Sequence, residues 1–193
     1  MSGLSSFEEL EKEIDDIKDE FYSESGKNVF FKNSQKYDCA KKIVSKISLD
    51  VLLNRTCLII DGTNCVHIDY PIMKTYASPE IFEVIAEYIF SKFEYLKTNF
   101  PTFEVALNLD GFSISAAERY KILIEIFCRK CFQRNAGFAF VVTQFVVYNA
   151  PSIIDTVKQI VSPFIEDHMK HKLFIVPKKE SDQHNQRFAD IRN

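Results

Sequence analysis

Between residues 56 and 176 the chain alternates short apolar runs with longer stretches of helical periodicity, and that alternation limits its possible folds more than any other feature. Cys57-Leu-Ile-Ile60 is an apolar run halted by Asp61-Gly62-Thr63-Asn64, which reads as a buried strand and its turn. Ser78-Pro79 opens a long helix with Ile81, Phe82, Ile85, Ile89, Phe93 and Leu96 on its apolar face, and Pro101 closes it. Thr102 to Asp110 is a second strand with Phe103, Val105, Leu107 and Leu109 on one face and Glu104, Ala106 and Asn108 on the other; Gly111 ends it. Ser115-Ala-Ala-Glu118 is a capping box starting a helix to about Cys131, whose Tyr120, Ile122, Leu123, Ile124, Ile126 and Phe127 cover more than one stripe and predict burial. A third strand runs from Phe138 to Tyr148 and ends at Asn149-Ala-Pro151. A helix follows from Ile153 to about Ile165, and a last strand spans Leu173 to Val176. This order predicts an α/β fold, a mostly parallel sheet of about four to five strands flanked by helices.

Ahead of that region, Ser6-Phe-Glu-Glu9 is a capping box, and Phe7, Leu10, Ile14, Ile17 and Phe21 repeat at helical spacing among acids. They form one amphipathic helix ending near Ser23 to Gly26, followed by a polar connector and a short helical stretch from about Tyr37 to Leu53. The expected organisation is a helical arm over 1–54, the α/β domain over 55–177 and a polar tail over 178–193. Residues 1–28 carry −6 of a net −3, which leaves +3 for the remainder and gives no reason to expect a nucleic-acid partner.

Composition removes further classes. The five glycines are far apart, so neither G-x-G-x-x-G nor G-x-x-x-x-G-K-[ST] can be written through them, which excludes a phosphate-cradling loop. The chain has no apolar run of the ~18 to 20 residues that span a bilayer, and its start lacks the pattern of a secretory signal. Five cysteines, an odd number set among apolar segments, predict reduced thiols, and a cytoplasmic protein is expected.

Three clusters invite a chemical reading. Asp61 and Asp110 both follow predicted strands, where open α/β sheets bind ligands, and Leu58-Ile-Ile-Asp61-Gly-Thr-Asn64 resembles the first strand of PIN or NYN nucleases. A metal nuclease wants three or four converging acids, however, and the next two strand ends offer Asn149 and Val176. Simple turn chemistry accounts for an Asp-Gly at a strand end. Cys128-Arg-Lys-Cys131 has C-x-x-C spacing but no partner pair, and lies in a helical pattern, so buried thiols are expected rather than zinc. His168-x-x-His171, flanked by Lys170 and Lys172, reads as a solvated face. No metal or cofactor is expected.

The most specific signal is a series of linked motifs: Asn108-Leu-Asp-Gly-Phe-Ser-Ile-Ser-Ala-Ala117, Val146-Val-Tyr-Asn-Ala-Pro151, Ile160-Val-Ser-Pro-Phe-Ile165 and Lys172-Leu-Phe-Ile-Val176. In order and spacing they resemble the signatures of the CRAL-TRIO lipid-binding domain. The resemblance implies a non-catalytic protein that holds one hydrophobic molecule, a phospholipid, tocopherol or retinoid, between a sheet floor and a mobile gate helix. The gate falls on Ser152 to Phe164, with Ile153, Val157, Ile160 and Phe164 toward the ligand. The floor comprises Phe103, Val105, Leu107 and Leu109 with alternate residues of Phe140 to Tyr148, Val146 and Tyr148 among them; Phe112, Tyr120, Ile124 and Phe127 complete the lining. An apolar floor suits such a ligand, since each CH₂ removed from water contributes roughly 0.8 kcal/mol.

The chain departs from the family pattern at several points. The lysine that holds an inositol phosphate in phosphatidylinositol-transfer members is here Ser162, the acidic headgroup residue falls near Glu125 or Ile126, and floor positions carrying small hydroxyls become Phe103 and Val105. "Y-P-E-R" is replaced by Gln133-Arg-Asn-Ala-Gly137. This is the pattern of a minimal or divergent member, which keeps two other readings beside lipid transfer: a protein-interaction module that docks through the acidic N-terminal helix, and the nuclease using Asp61 and Asp110. Lys158, Lys170, Lys172, Lys178 and Lys179 against Glu166 and Asp167 give the gate region a local +3, which predicts transient contact with anionic membrane surfaces.

Overall fold

A computed structural model describes residues 7–27, 30–132, 137–138, 140–152, 154–164 and 167–189. Three helices come first, α1 (Phe7–Ser25), α2 (Lys32–Lys46) and α3 (Leu49–Thr56), the last two separated at Ile47-Ser48 within the stretch expected as one helix. Then follow β1 (Cys57–Ile59), β2 (Cys65–Asp69), α4 (Tyr70–Tyr76), a 3₁₀ turn at Pro79–Ile81, α5 (Phe82–Asn99) and β3 (Phe103–Asn108). The remainder is α6 (Ile114–Arg119), α7 (Lys121–Phe132), β4 (Val142–Ala150), α8 (Ile154–Val161) with a 3₁₀ turn over Ser162–Phe164, α9 (Asp167–Lys170), β5 (Leu173–Pro177) and α10 (Asp182–Arg187).

The five strands lie in the order β1-β2-β3-β4-β5, with β1 antiparallel to β2 and every other pair parallel. Strands adjacent in sequence are adjacent in the sheet, so the right-handed crossovers stack their helices on one face. On that front face Val66 and Ile68 of β2, Phe103 and Val105 of β3, and Phe145 and Val147 of β4 join one core with residues of α4, α5, α6 and α7. Phe7, Leu10, Ile14 and Ile17 of α1 enter the same core, as do Cys39 and Ile43 of α2. The back face is covered more thinly: Phe188, just after α10, is buried against the rings of His67 (4.8 Å) and Tyr148 (5.5 Å). Thus 178–193, expected as a polar tail, contributes an ordered layer through residue 188.

Several expectations need correction. The strand β2 and helix α4 fill a stretch that had no assigned elements, and because β1 runs antiparallel, Asp61 sits in the β1–β2 turn near the start of β3, whereas Asp110 follows its end. The two carboxylates lie at opposite ends of the sheet and cannot share a metal. The helix expected from Ser115 to Cys131 is two, interrupted at Tyr120, and its cap is Ser113, whose Oγ accepts from the Ala116 N–H at 3.3 Å. Ser6, Gln133 to Ala136, Ile153, Ile165 and Glu166 lie outside the described residues. Among the described residues no helix is long and apolar enough to cross a membrane, and no group of three His, Cys, Asp or Glu could hold a metal ion.

Candidate functional site

Between the front of the sheet and the crossover helices lies a cavity of about 160 Å³. Its floor is Ile68 of β2, Leu107 of β3 with Leu109 just beyond it, Phe145 and Val147 of β4, and Leu173 and Ile175 of β5. Its walls include Tyr70 and Met73 of α4, Phe112, Tyr120 between α6 and α7, and Leu123, Ile124, Phe127 and Cys128 of α7. Ile154 and Lys158, one turn apart on α8, close it. No polar atom of this lining faces the void. The Tyr120 hydroxyl is turned away and donates to the Lys74 carbonyl (3.1 Å), while burial pushes the Cys128 thiol up to about 12, so that wall stays neutral.

Six of the expected lining residues, Leu107, Leu109, Phe112, Tyr120, Ile124 and Phe127, meet at this cavity. Phe103 and Val105 share the floor's face but lie where it is filled: Phe103 packs on Phe93 (5.4 Å), which packs on Phe138 (5.5 Å), and Phe127 on Phe90 (5.7 Å) and Phe145 (5.8 Å). Ile153 is outside the described residues, and Val157, Ile160 and Phe164 are described only in their backbone.

Val146 and Tyr148 are displaced to the back face. Phe103 pairs with Val142 but Glu104 with Gln144, so Thr143 is an extra residue in β4; its hydroxyl donates to the Phe103 carbonyl (3.1 Å). One inserted residue reverses the side-chain alternation beyond it. Phe145 and Val147 therefore occupy the floor, and Tyr148 instead contacts His67 Nε2 through its hydroxyl (2.7 Å). Phe140, expected to begin the floor, is exposed in the preceding turn.

The motif residues that do not touch the cavity hold the strand ends. Asn149 has φ +52° and joins the ends of three strands. Its Nδ2 donates to Asn108 Oδ1 (2.9 Å) and to Asn185 Oδ1 (2.8 Å), and its backbone N–H donates to Ser181 Oγ (2.8 Å). Asn108 Nδ2 in turn donates to Asp69 Oδ1 at 3.4 Å. Asp110 pairs with Lys178 (2.6 Å), which holds its carboxyl below the usual range. Gly111, at φ +71°, leaves room for Lys74 Nζ, which would lie 2.9 Å from an added Cβ.

An apolar chamber on a parallel sheet, closed by the helix that follows the Asn-Ala-Pro strand end, is matched by sequence comparison: the family model of the CRAL/TRIO domain matches residues 55–190. The chain belongs to the CRAL/TRIO family. No curated protein matches it. CRAL/TRIO domains generally bind hydrophobic ligands and are typically non-catalytic. In this CRAL/TRIO domain the Asn149 ladder ties α10, on the back face, to the strand ends that border the chamber. Sequence reasoning missed Ile68, Met73, Phe145, Val147, Leu173, Ile175 and Lys158 as lining residues. The first two lie in elements it left unassigned, and the β4 pair was hidden by the bulge.

Other sequence candidates prove structural or peripheral. Cys128 and Cys131 are buried free thiols on α7. Glu125 pairs with Arg129 (2.5 Å) on the same helix. Lys158, Lys170, Lys178 and Lys179 each hold a nearby carboxylate in a solvent-exposed pair that adds little to stability.

Proposed function

We propose that this chain binds one hydrophobic molecule without covalent chemistry, in the chamber between the sheet floor and α8, and that α8 acts as the gate through which the ligand is taken up and released. The observation that carries this reading is the chamber itself: an opening of about 160 Å³ that exposes no polar atom, beside a part of the core filled by interlocking aromatic rings. An unfilled apolar space is destabilising to its host, at ~24 cal/mol per Å³, and binding an apolar ligand offsets that deficit. The lining we assign is Leu107, Leu109, Phe112, Tyr120, Ile124 and Phe127 with the residues of β4, β5 and α8 given above. Val157, Ile160 and Phe164 complete the gate in this reading.

The protein-interaction alternative gains little support, because the apolar face of α1 is buried in the chain's own core, which suits an arm that closes the domain in cis. Buried free thiols favour a reducing, cytoplasmic setting, and the lysines beyond the gate suit transient contact with an anionic membrane. Native mass spectrometry of the purified chain followed by organic extraction tests the reading. A co-purified hydrophobic molecule, or uptake of one from vesicles, is expected; a ligand-free mass with no uptake of any apolar probe overturns it.

A further inference from the structure

We infer that the chamber takes a small amphiphilic carboxylate, one alkyl or aryl group ending in an acid, and that Lys158 receives the acid; this inference rests on the apolar-ligand reading above. Size argues first. The cavity of about 160 Å³ is close to the engineered apolar cavities of ~150 Å³ that accept benzene, and below the ~300 to 1,000 Å³ of sites that enclose drug-sized ligands. It accommodates one ring or one short chain, not the paired acyl chains of a phospholipid.

Polarity argues next. Lys158 carries the one charge among the described lining residues. It sits a turn beyond Ile154 on α8, so its methylene stem covers the chamber while its side chain stays 47% exposed. A polar ligand end turned toward any other described wall meets carbon or sulfur, because the Tyr120 hydroxyl donates to the Lys74 carbonyl and neither its oxygen nor that of Tyr70 faces the void. At the Lys158 mouth the same group reaches an ammonium and water together.

Availability completes the case. The Lys158 ammonium pairs with Asp155 (2.8 Å), three residues earlier and 83% exposed, and such an exposed pair is weak enough to be exchanged for a ligand carboxylate at little cost. Seated there, the carboxylate accepts a charge-assisted hydrogen bond from Nζ while its chain lies on Leu173, Ile175 and Val147.

The test compares octanoate with 1-octanol, which share an eight-carbon chain and differ at the end group, by isothermal titration of the full chain at pH 7. Octanoate is expected to bind roughly fivefold more tightly, a preference that shrinks with added salt. Lys158→Gln should bring the octanoate-to-octanol affinity ratio to about one, whatever the shorter stem does to both probes alike, and Lys158→Arg should keep the ratio. Thermal melts of both variants check the fold. Equal affinities in the parent chain, or an undiminished preference in Lys158→Gln, overturn the assignment of the acid to Lys158 and leave the apolar-ligand reading intact. Failure of both probes to bind overturns that reading and this inference with it. Uptake of phosphatidylcholine from vesicles in preference to octanoate refutes the size argument.

Discussion

Two identical substitutions on the same floor should have opposite effects. Val147 lines the chamber, whereas Val105, on the neighbouring strand and fully buried, faces the half filled by aromatic rings. At ~24 cal/mol per Å³, a void of about 160 Å³ corresponds to a ceiling of about 4 kcal/mol if it could be filled without strain. A Phe at 147 fills part of it, and allowing for imperfect rotamers we expect Val147→Phe to gain about 1 kcal/mol, raising the melting temperature by ~2 to 4 °C. Val105→Phe must instead displace packed neighbours and should lose about 1 to 3 kcal/mol. Thermal and urea unfolding of both variants measure the contrast. Titration with 1-octanol adds a second axis: at a hundred times its dissociation constant a ligand stabilises the parent by ~2.7 kcal/mol, and that increment should vanish in Val147→Phe. If Val147→Phe is destabilised as much as Val105→Phe, or keeps the full ligand increment, the chamber is not where the floor residues place it.

The strand-end ladder and the other polar groups yield further tests. Asn149→Ala should cost about 2 to 4 kcal/mol in urea unfolding, through lost buried hydrogen bonds and a positive φ, and Asn149→Gly should recover part of it; equal losses would remove the backbone contribution. The Tyr70 hydroxyl is buried and has no hydrogen-bond partner among the described residues, so Tyr70→Phe should leave the melting temperature unchanged or higher, and a fall of 1 kcal/mol or more would show a hidden partner. Because Lys178 lowers the Asp110 pKa, the pair's stabilisation is complete above the ordinary carboxylate range and fades as pH falls through the lowered folded value. Lys178→Met should flatten that acid limb by less than about 1 kcal/mol, the partial exposure of both groups limiting the effect; an unaltered acid limb would refute it. Cys128, with its thiol pushed up to about 12, should resist alkylation at pH 8 in the folded chain and react on unfolding; rapid labelling of the folded chain would show the cavity wall open to water.

The sequence made the architecture legible wherever periodicity was long and regular. The α5 face from Phe82 to Leu96 translates directly into buried positions, and the alternation of Phe103 to Leu109 into one face of the sheet, with Phe103, Val105 and Leu109 buried and Leu107 lining the chamber. It failed where a local event intervened. Cys65 to Asp69 contains His67 and Asp69, which disguise a strand; the structure buries both, with His67 against Tyr148 and Asp69 against Asn108. Thr143 left no compositional mark, yet its insertion moved Val146 and Tyr148 off the floor and brought Phe145 and Val147 onto it. Lys158 was visible as a charge but not as a wall, because a helical face cannot reveal which of its residues overhang a void.

The aromatic residues explain why a void exists at this place. Phe90, Phe93, Phe103, Phe127 and Phe138 interlock over the start of β3, and Tyr70, Phe82, Phe112 and Tyr120 form a second group near the strand ends, with Tyr70 and Phe112 at 5.0 Å. Planar rings packed edge to face make rigid walls that collapse poorly into a gap between them. The floor spanning that gap is aliphatic: Leu107, Leu109, Val147, Leu173 and Ile175 are too short to close it from below. The chamber is thus bounded by rings at both ends, by the pleated sheet beneath and by α8 above. Among the described residues α8 meets the chamber through Ile154 and the stem of Lys158, both partly exposed to solvent, which is why the proposed gate is placed on this boundary.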